Sequence, residues 1–373
     1  MKYYIIAGEP SGDLHAANLM KSLKKKDPGA VFRCWGGDLM SAEGGVIVKH
    51  YKDLAFMGFL EVLMNIRTIT RNLNFCKKDI LDFQPDTIIL VDYPGFNLRI
   101  ARFAHESGIK VIYYISPQLW AWHESRVKTI RDNVDKMLVI LPFEKDFYQK
   151  HAYQADFTGH PLLDRINEEM IFTGKQDFFQ KNDLDERPVI ALLPGSRKQE
   201  VKVMLRIMLS VKNEFPGHQF VVAGAPSLPE TFYKDILGNE HVSLVKGQTY
   251  DLLHYAEAAL VTSGTATLET ALMNVPQVVC YKGNYISYLL ARQLVKVKFI
   301  SLVNLIMDEM IVKELIQDEL TSKNLAAELK KILFDQQVKN KIHHSYDILK
   351  AKLGGRGASD RAADIITSYL LNP

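Results

Sequence analysis

Four short segments carry glycine, hydroxyl and charged residues in the order that ligand-binding loops use. They read AGEPSGD at 7–13, VDYPGFN at 91–97, LPGSR at 193–197 and TSGTATLE at 262–269. Each segment follows a short apolar run and precedes a helical pattern. Because ligands of open α/β sheets bind outside the carboxyl ends of the strands, we expect the chemistry of this chain in these segments.

The segment at 193–197 has residue types that bind a diphosphate. Gly195 lets the backbone approach an anion, Ser196 offers a hydroxyl, and Arg197 offers a planar fork that matches phosphate oxygens. The alternative is a helix-start serine beside a solvated arginine.

The segment at 262–269 suits a phosphate and the sugar attached to it. Ser263, Gly264 and Thr265 would present hydroxyl and N–H groups at a helix N-terminus, and Glu269, about one turn later, could take the two hydroxyls of a ribose. The alternative is a hydroxyl N-cap at Ser263 or Thr265, with Glu269 as a first-turn carboxylate. Two phosphate-type loops in the second half predict that a nucleotide binds there.

Asp92 is the preferred candidate for a general base. A carboxylate at the end of a strand could accept the proton of a hydroxyl that bonds to an anomeric carbon. The alternative is an aspartate that only forms the turn before Pro94.

The segment at 7–13 is not a GxGxxG loop, and no acidic residue follows at the ribose distance, which disfavours dinucleotide binding. Glu9 places a carboxylate in the middle of this loop. The alternative is an ordinary glycine turn with Asp13 as an N-cap.

The histidines and carboxylates predict neither a metal nor a cofactor. His15, His123 and His160 fall in loops, where a single histidine is more often a hydrogen-bonded structural residue. None has the spacing of metal ligands. The one Asp-x-Asp, at 183–185, lies in a polar connector rather than at a strand end.

Two alternations of strand and helix predict an α/β chain with two Rossmann-like doubly wound domains that face each other across a cleft. The predicted domains are 1–170 and 188–357, with a linker at 171–187 and a C-terminal helix at 358–373 that can return to the first domain. After residue 308 the pattern is almost entirely helical. The predicted strands are 3–7, 31–35, 87–91, 111–115 and 137–140, then 189–193, 219–223, 242–245, 259–262 and 277–280.

Length and composition agree with this division. The 373 residues, 47% of them hydrophobic, are enough for two ordinary cores. A net charge of +3 gives no global field that would argue for nucleic acid, and we expect none as a partner. The three cysteines are far apart and predict free thiols in a reduced compartment. No apolar run approaches the length of a membrane span.

The stretch at 56–66 is apolar around most of a helix, and cations follow it at Arg67, Arg71, Lys77 and Lys78. Such a face dips into an anionic bilayer or holds acyl chains. The alternative is a core helix of the first domain. The residues that we assign to the lipid are Met57, Phe59, Leu60 and Leu63.

Taken together, the motifs resemble the lipid-A-disaccharide synthase family, inverting glycosyltransferases of GT-B fold. The similarity runs nearly end to end. Besides the four segments it includes GG at 36–37, MGFLEVL at 57–63, SPQLWAW at 116–122, LPFEKDFY at 141–148, TGHPL at 158–162 and SLVNLI at 301–306.

The resemblance implies a substrate pair and a set of roles. UDP-2,3-diacylglucosamine would donate its sugar to the 6'-hydroxyl of 2,3-diacylglucosamine 1-phosphate and release UDP. By motif match, Asp92 would be the base, Arg197 an essential arginine, and Glu9 and Asn304 further polar groups of the active site. Ser11 and Gly12 are assigned with the acceptor, and the loops around Gly195 and Ser263 with the donor diphosphate.

The chain departs from the family pattern at two positions. Gly95 stands where some members have a second aspartate, so Asp92 keeps the role of base. His123 stands where an arginine is familiar, which puts a cationic role there in doubt at neutral pH.

The resemblance further implies a peripheral location on the cytoplasmic face of the inner membrane and allows a homodimer, since dimers that exchange C-terminal segments occur in the family. Two rivals remain at the level of sequence. One is a UDP-N-acetylglucosamine 2-epimerase of the same architecture, and the other is a non-catalytic module that binds a UDP-sugar.

Overall fold

A computed structural model of the protein describes residues 1–53, 66–122, 124–166, 169–238, 240–283 and 297–371. Four residues assigned to the lipid (Met57, Phe59, Leu60 and Leu63) and His123 lie outside these ranges. The chain divides into two compact units, residues 1–164 with 353–373 and residues 165–352. No helix among the described residues is long and apolar enough to cross a bilayer.

The first unit is built on a seven-stranded parallel sheet in the order β3-β2-β1-β4-β5-β6-β7. The central strands are almost entirely buried, as expected where helices cover both faces of a parallel sheet. Its strands are β1 Lys2–Ala7, β2 Val31–Gly36, β3 Val46–His50, β4 Thr87–Val91, β5 Lys110–Tyr114, β6 Lys136–Val139 and β7 Ala155–Phe157.

The helices between these strands vary widely in length, and 3₁₀ turns occur at Tyr51–Asp53 and Glu124–Arg126. The longest are α1, which follows β1, and α3, which precedes β4. The helices are α1 Pro10–Lys26, α2 Asp38–Ala42, α3 Ile66–Phe83, α4 Pro94–Glu106, α5 Leu119–Trp122, α6 Val127–Asn133 and α7 Pro142–Lys150. After β7, the short helix α8 Leu162–Arg165 ends at the first residue of the second unit.

The second unit repeats the design with a six-stranded parallel sheet in the order β10-β9-β8-β11-β12-β13. Its strands are β8 Val189–Leu193, β9 Gln219–Gly224, β10 Ser243–Lys246, β11 Ala256–Thr262, β12 Gln277–Tyr281 and β13 Glu314–Ile316. Its helices are α9 Lys175–Lys181, α10 Lys198–Leu209, α11 Glu230–Leu237, α12 Thr249–Tyr255, α13 Thr265–Leu272, α14 Leu302–Met307, α15 Ser322–Phe334 and α16 Gln336–Lys352, with 3₁₀ turns at Lys212–Glu214 and Gln317–Glu319.

Each of the ten predicted strands has a counterpart in the structure, but three further strands were not predicted. The strands β3, β7 and β13 each lie at an edge of a sheet. Two have only three residues, and β3 is at most half-buried along its length. Such edge strands lack the continuous apolar run by which a buried parallel strand is recognised.

The stretch predicted as a linker contains helix α9. Its side chains Phe178 and Phe179 are buried in the hydrophobic core of the second unit. The sequence pattern did not predict this helix, because only its inward face is apolar and the residues around Phe178 and Phe179 are mostly polar.

The last helix, α17 Ala358–Leu371, packs against α1 in the first unit. Asp164 accepts hydrogen bonds from the backbone N–H groups of Gly357 (2.5 Å), Ala358 (3.2 Å) and Ser359 (3.2 Å) at the start of α17. Four N–H groups at a helix start have no partner within the helix, so this carboxylate stabilises the start of α17.

Candidate active site

The topology of each sheet brings two of the four predicted segments side by side. In the first unit the strand order reverses between β1 and β4, and Ala7 pairs in register with Val91. In the second it reverses between β8 and β11, and Leu193 pairs with Val261. Such reversal points are where open α/β sheets bind ligands, because the loops there diverge and leave a crevice.

Glu9 lies at the reversal point of the first sheet, as the half-buried N-cap residue of α1. Ser11, in the first turn, is exposed, whereas Gly12 is buried. A Cβ atom on Gly12 would lie 3.2 Å from the Cβ atom of Ala7, so the glycine lets α1 approach the end of β1 closely. The loop therefore offers Glu9 and Ser11 to a ligand while Gly12 packs the helix.

Asp13 caps a helix, but a different one from the helix considered in the alternative of an ordinary glycine turn. Its side chain is 2% exposed, and its carboxylate accepts the backbone N–H groups of Gly37 (2.7 Å), Leu39 (3.2 Å) and Met40 (3.2 Å). It thus caps the start of α2 rather than its own helix. A Cβ atom on Gly37 would collide with the ring of Tyr51 and lie 2.7 Å from Asp13 Oδ2, which explains the glycine there.

Asp92 follows β4 in a strained backbone conformation. Asp92 and Tyr93 have φ angles of 44° and 49°, in the left-handed region that non-glycine residues seldom adopt. The carbonyl oxygen of Asp92 accepts hydrogen bonds from Tyr113 Oη (2.6 Å) and Asn97 Nδ2 (2.8 Å). Two side chains hold this turn, and such strain clusters at functional sites.

The carboxyl group of Asp92 has a pKa of about 6 because burial and the neighbouring charge of Glu9 raise it, while the backbone N–H of Tyr93 opposes the rise. A base that is ionised at neutral pH but still binds a proton readily suits general base catalysis. The structure therefore brings Glu9 and Asp92 together as an electrostatic pair.

His160 is a structural histidine. It is 4% exposed, its Nδ1 atom accepts the backbone N–H of Leu162 at 3.2 Å, and burial and the neighbouring His15 lower its pKa to about 3. Its imidazole is therefore neutral at physiological pH.

In the second unit, Gly195 has a φ angle of 105°, and a Cβ atom there would collide with the Glu200 carboxylate. That carboxylate accepts the backbone N–H of Ser196 at 3.2 Å. Ser196 and Arg197 are exposed, and Arg197 is the N-cap residue of α10.

Helix α13 begins next to this loop, in the same unit. Its N-cap residue is Gly264, and no described side chain caps it, so the alternative of a hydroxyl N-cap at Ser263 or Thr265 does not hold there. Thr265 is exposed, a Cβ atom on Gly264 would meet no atom of the described residues within 4 Å, and Ser263 Oγ donates to the carbonyl of Ile300 at 2.8 Å. A helix start that no described side chain caps is suited to an anion.

Asn304 lies inside the second unit. It is 0% exposed, its Oδ1 atom accepts the N–H groups of Ile311 (2.8 Å) and Val312 (3.0 Å), and its Nδ2 atom donates to Glu314 at 2.9 Å. The side chain thus holds the segment around α14 in place, and it does not reach the surface.

Comparison with known proteins decides the family. A family model described as lipid-A-disaccharide synthetase matches residues 3–366. A lipid-A-disaccharide synthase of Syntrophus aciditrophicus is 40% identical, over 96% of this chain and 95% of that protein. A lipid-A-disaccharide synthase of Geobacter sulfurreducens is 37% identical, over 98% of this chain and 96% of that protein. The chain belongs to the lipid-A-disaccharide synthase family. It is accordingly a glycosyltransferase.

Solved structures support the architecture of this family member. A UDP-GlcNAc 2-epimerase from Neisseria meningitidis bound to UDP-GlcNAc has a TM-score of 0.67 at 15% identity and covers 100% of both chains. The glycotransferase of kitacinnamycin has a TM-score of 0.67 at 14% identity and covers 99% of both. At such identities the likeness concerns the fold, and the two parallel-sheet units are of GT-B type.

Sequence reasoning missed a buried carboxyl group of this lipid-A-disaccharide synthase family member. Glu144 is 1% exposed and accepts the backbone N–H of Leu141 (3.0 Å) and the indole N–H of Trp120 (3.2 Å). Burial raises its pKa to about 8, and the charge of Asp92 adds to the rise. A glutamate at the third position of α7 has the capping-box spacing, which was visible in the sequence, but its burial was not.

Tyr250 was also missed. Its hydroxyl donates to Glu269 Oε1 at 2.6 Å, although 250 and 269 belong to different helices. Nothing near Tyr250 in the sequence marks it as more than one aromatic residue of a helical pattern.

Proposed function

We propose that this chain transfers 2,3-diacylglucosamine from UDP-2,3-diacylglucosamine to 2,3-diacylglucosamine 1-phosphate. The products are the β-1,6-linked lipid A disaccharide 1-phosphate and UDP. The family match supports this substrate pair, because the relatives are named lipid-A-disaccharide synthases. The observation that carries the site assignment is that all four candidate loops lie at the reversal points of the two sheets.

The proposed reaction is a single displacement with inversion. The 6'-oxygen of the acceptor bonds to the anomeric carbon, the bond from that carbon to the diphosphate oxygen breaks, and UDP leaves with the electron pair. Asp92 accepts the hydroxyl proton, and its raised pKa supports that role. Glu9 sets the charge beside Asp92.

In this proposal the second unit binds the donor. Gly195, Ser196 and Arg197, together with Ser263, Gly264 and Thr265 at the start of α13, contact the diphosphate. Arg197 and the helix N-terminus stabilise the charge that develops on departing UDP. Glu269 accepts the ribose hydroxyls, and Asn304 contributes by holding the segment around α14.

On the first unit we assign Ser11 and Gly12 to the acceptor, and Met57, Phe59, Leu60 and Leu63 to its acyl chains or the lipid surface. We also propose peripheral attachment to the cytoplasmic face of the inner membrane. In its support, six side chains on one face of α3 line a surface hollow; three of them are cationic, and apolar atoms contribute most of the lined surface. The six are Arg67, Thr70, Arg71, Asn74, Phe75 and Lys78.

The deciding experiment incubates the purified chain in detergent with the diacylated UDP-sugar and the acylated sugar phosphate. We expect a disaccharide and UDP, with and without chelator, since the proposed chemistry needs no metal. Turnover of UDP-N-acetylglucosamine without acceptor would favour the epimerase instead. A chain that binds UDP but releases none when it is given the donor and acceptor together would favour a non-catalytic module.

Variants sharpen this assay. Asp92→Asn should lower kcat about 10²- to 10⁴-fold because the base is lost, and Arg197→Ala about 10²- to 10³-fold because a charge stabiliser is lost. Lys198→Ala is the matched control, since Lys198 is an exposed cation next to Arg197. Near-normal turnover of either active-site variant would remove that residue from the mechanism.

The membrane proposal predicts that anionic liposomes sediment the wild-type protein but not the double variant Phe59→Asp, Leu63→Asp, because charge at an inserted apolar face opposes burial in lipid. The control double variant, Ile171→Asp with Phe334→Asp, replaces two exposed apolar residues of the second unit. Equal sedimentation of all three proteins would contradict the proposal.

The family likeness also supports a homodimer, which sedimentation equilibrium would detect.

A further inference from the structure

The side chain of Glu269 is half-exposed, yet one of its two oxygens is already held. Tyr250 Oη donates to Glu269 Oε1 at 2.6 Å, a short distance typical of a hydroxyl bonded to a carboxylate. Glu269 Oε2 makes no hydrogen bond to any residue that the structure describes. The carboxylate is therefore fixed by one donor and open to others.

Tyr250 is itself held from two sides. Its ring is half-buried against the hydrophobic core of the second unit, and the guanidinium carbon of Arg165 lies 4.9 Å from the ring centroid. A cation over an aromatic face is attracted to the ring and draws electron density from it. The phenol is thus packed on one side, in contact with a cation on the other, and polarised as a donor.

Burial and the charge of Glu269 keep the pKa of Tyr250 above its ordinary value. The hydroxyl consequently keeps its proton at physiological pH and can only donate to the carboxylate. Within the second unit, the cation of Arg165, the neutral ring of Tyr250 and the carboxylate of Glu269 therefore contact one another in that sequence.

A glutamate on a helix surface usually samples several rotamers, and a ligand that binds it must restrict them. A carboxylate already oriented by a rigid donor avoids part of that entropic cost. We propose that Tyr250 is a positioning residue, which orients Glu269 through its hydrogen bond so that the carboxylate accepts the ribose hydroxyls of a uridine nucleotide. This inference rests on the proposed donor site of the second unit.

The test measures the dissociation constants of UDP and 2'-deoxy-UDP for the wild-type chain and for Tyr250→Phe. The wild type should prefer UDP, because only UDP offers both hydroxyls. The variant keeps the ring but loses the hydrogen bond, so its affinity for UDP should fall about three- to thirty-fold. Its affinity for 2'-deoxy-UDP should change less than about two-fold, and its preference for UDP should largely disappear.

Tyr255→Phe is the matched control, because Tyr255 lies on the same helix and its hydroxyl bonds to the carbonyl of Thr173 rather than to Glu269. It should keep the wild-type preference, whereas Glu269→Gln should lose it. A purely structural role of Tyr250 would weaken both nucleotides equally and would overturn the inference. If Tyr250→Phe kept the full wild-type preference for UDP over 2'-deoxy-UDP, the positioning role of Tyr250 would be overturned, while the proposed donor site would stand. A wild type that binds neither nucleotide would instead refute the donor site itself.

Discussion

At the scale of single residues, the properties of Asp92 depend on its surroundings rather than on its type. An aspartate in water has lost its proton well below pH 6, but burial and the charge of Glu9 raise the pKa of Asp92 to about 6. The left-handed backbone at Asp92 is a cost that the hydrogen bonds from Tyr113 and Asn97 offset. The turn therefore presents a carboxylate of raised basicity in one orientation.

This predicts a pH dependence. Because the base must be ionised, kcat/KM should fall as the pH decreases through about 6. Glu9→Gln removes a negative charge that raises the pKa of Asp92. The acid limb of the variant's pH profile, where kcat/KM falls with decreasing pH, should therefore lie at lower pH than the acid limb of the wild type. This shift is expected whatever the variant's maximal rate.

The measurement is kcat/KM between about pH 3.5 and 8 for both proteins, a range that brackets the unperturbed carboxyl pKa of about 4 as well as the raised one. Glu106→Gln, an exposed glutamate at the end of α4, is the control and should leave the limb in place. An acid limb that does not move in Glu9→Gln, or moves to higher pH, would show that Glu9 does not act on the base.

At the scale of elements, helix starts fall into two kinds. The start of α2 is stabilised by Asp13 from α1, and that of α17 by Asp164. No described side chain caps α13, and its N–H groups are suited to an anion. The contrast separates helix ends that support the fold from one that is suited to a ligand.

Asp13→Ala should lower the free energy of unfolding by about 2 kcal/mol or more, because three backbone N–H groups in a buried site lose their acceptor. Asp38→Ala, in the short helix α2 whose start Asp13 caps, should cost less than about 1 kcal/mol, since its side chain is 81% exposed and its ion pairs are long. Urea denaturation measures both. Equal losses for the two variants would contradict the capping role of Asp13.

At the scale of the whole molecule, the first unit is assembled from both ends of the chain. Helix α17 packs on α1, and the ion pairs Lys25–Asp360 (3.1 Å) and Lys26–Asp364 (2.6 Å) lie beside the contact. Those pairs are exposed and contribute little, so the buried apolar face of α17 provides most of the stabilisation.

Ile366→Ala should therefore destabilise the first unit by about 2–5 kcal/mol, because Ile366 is 0% exposed. Leu371→Ala, at a residue of the same helix that is 69% exposed, should change stability by less than about 0.5 kcal/mol. Hydrogen exchange locates the effect. Amides of α1 should lose protection in Ile366→Ala while those of α16 keep it, and the reverse pattern would contradict this assembly.

Much of the fold was predictable because its signals are local. Buried parallel strands appear as short apolar runs, and the ten predicted strands are of this kind. The edge strands β3, β7 and β13 were not predictable, since a half-buried or three-residue strand has no such run. Helix α9 was hidden for a related reason, because Phe178 and Phe179 are its only buried residues.

The amino-acid sequence by itself determined the fold class, the family and the four loops in which candidate residues such as Asp92 and Arg197 lie, because each depends on short windows of residue types and on their order along the chain. Only the tertiary structure decided that Asp13 caps α2, that Glu9 raises the pKa of Asp92, and that Tyr250 holds Glu269. Burial, charge and hydrogen bonding act through space between residues far apart in the chain, so no local pattern encodes them.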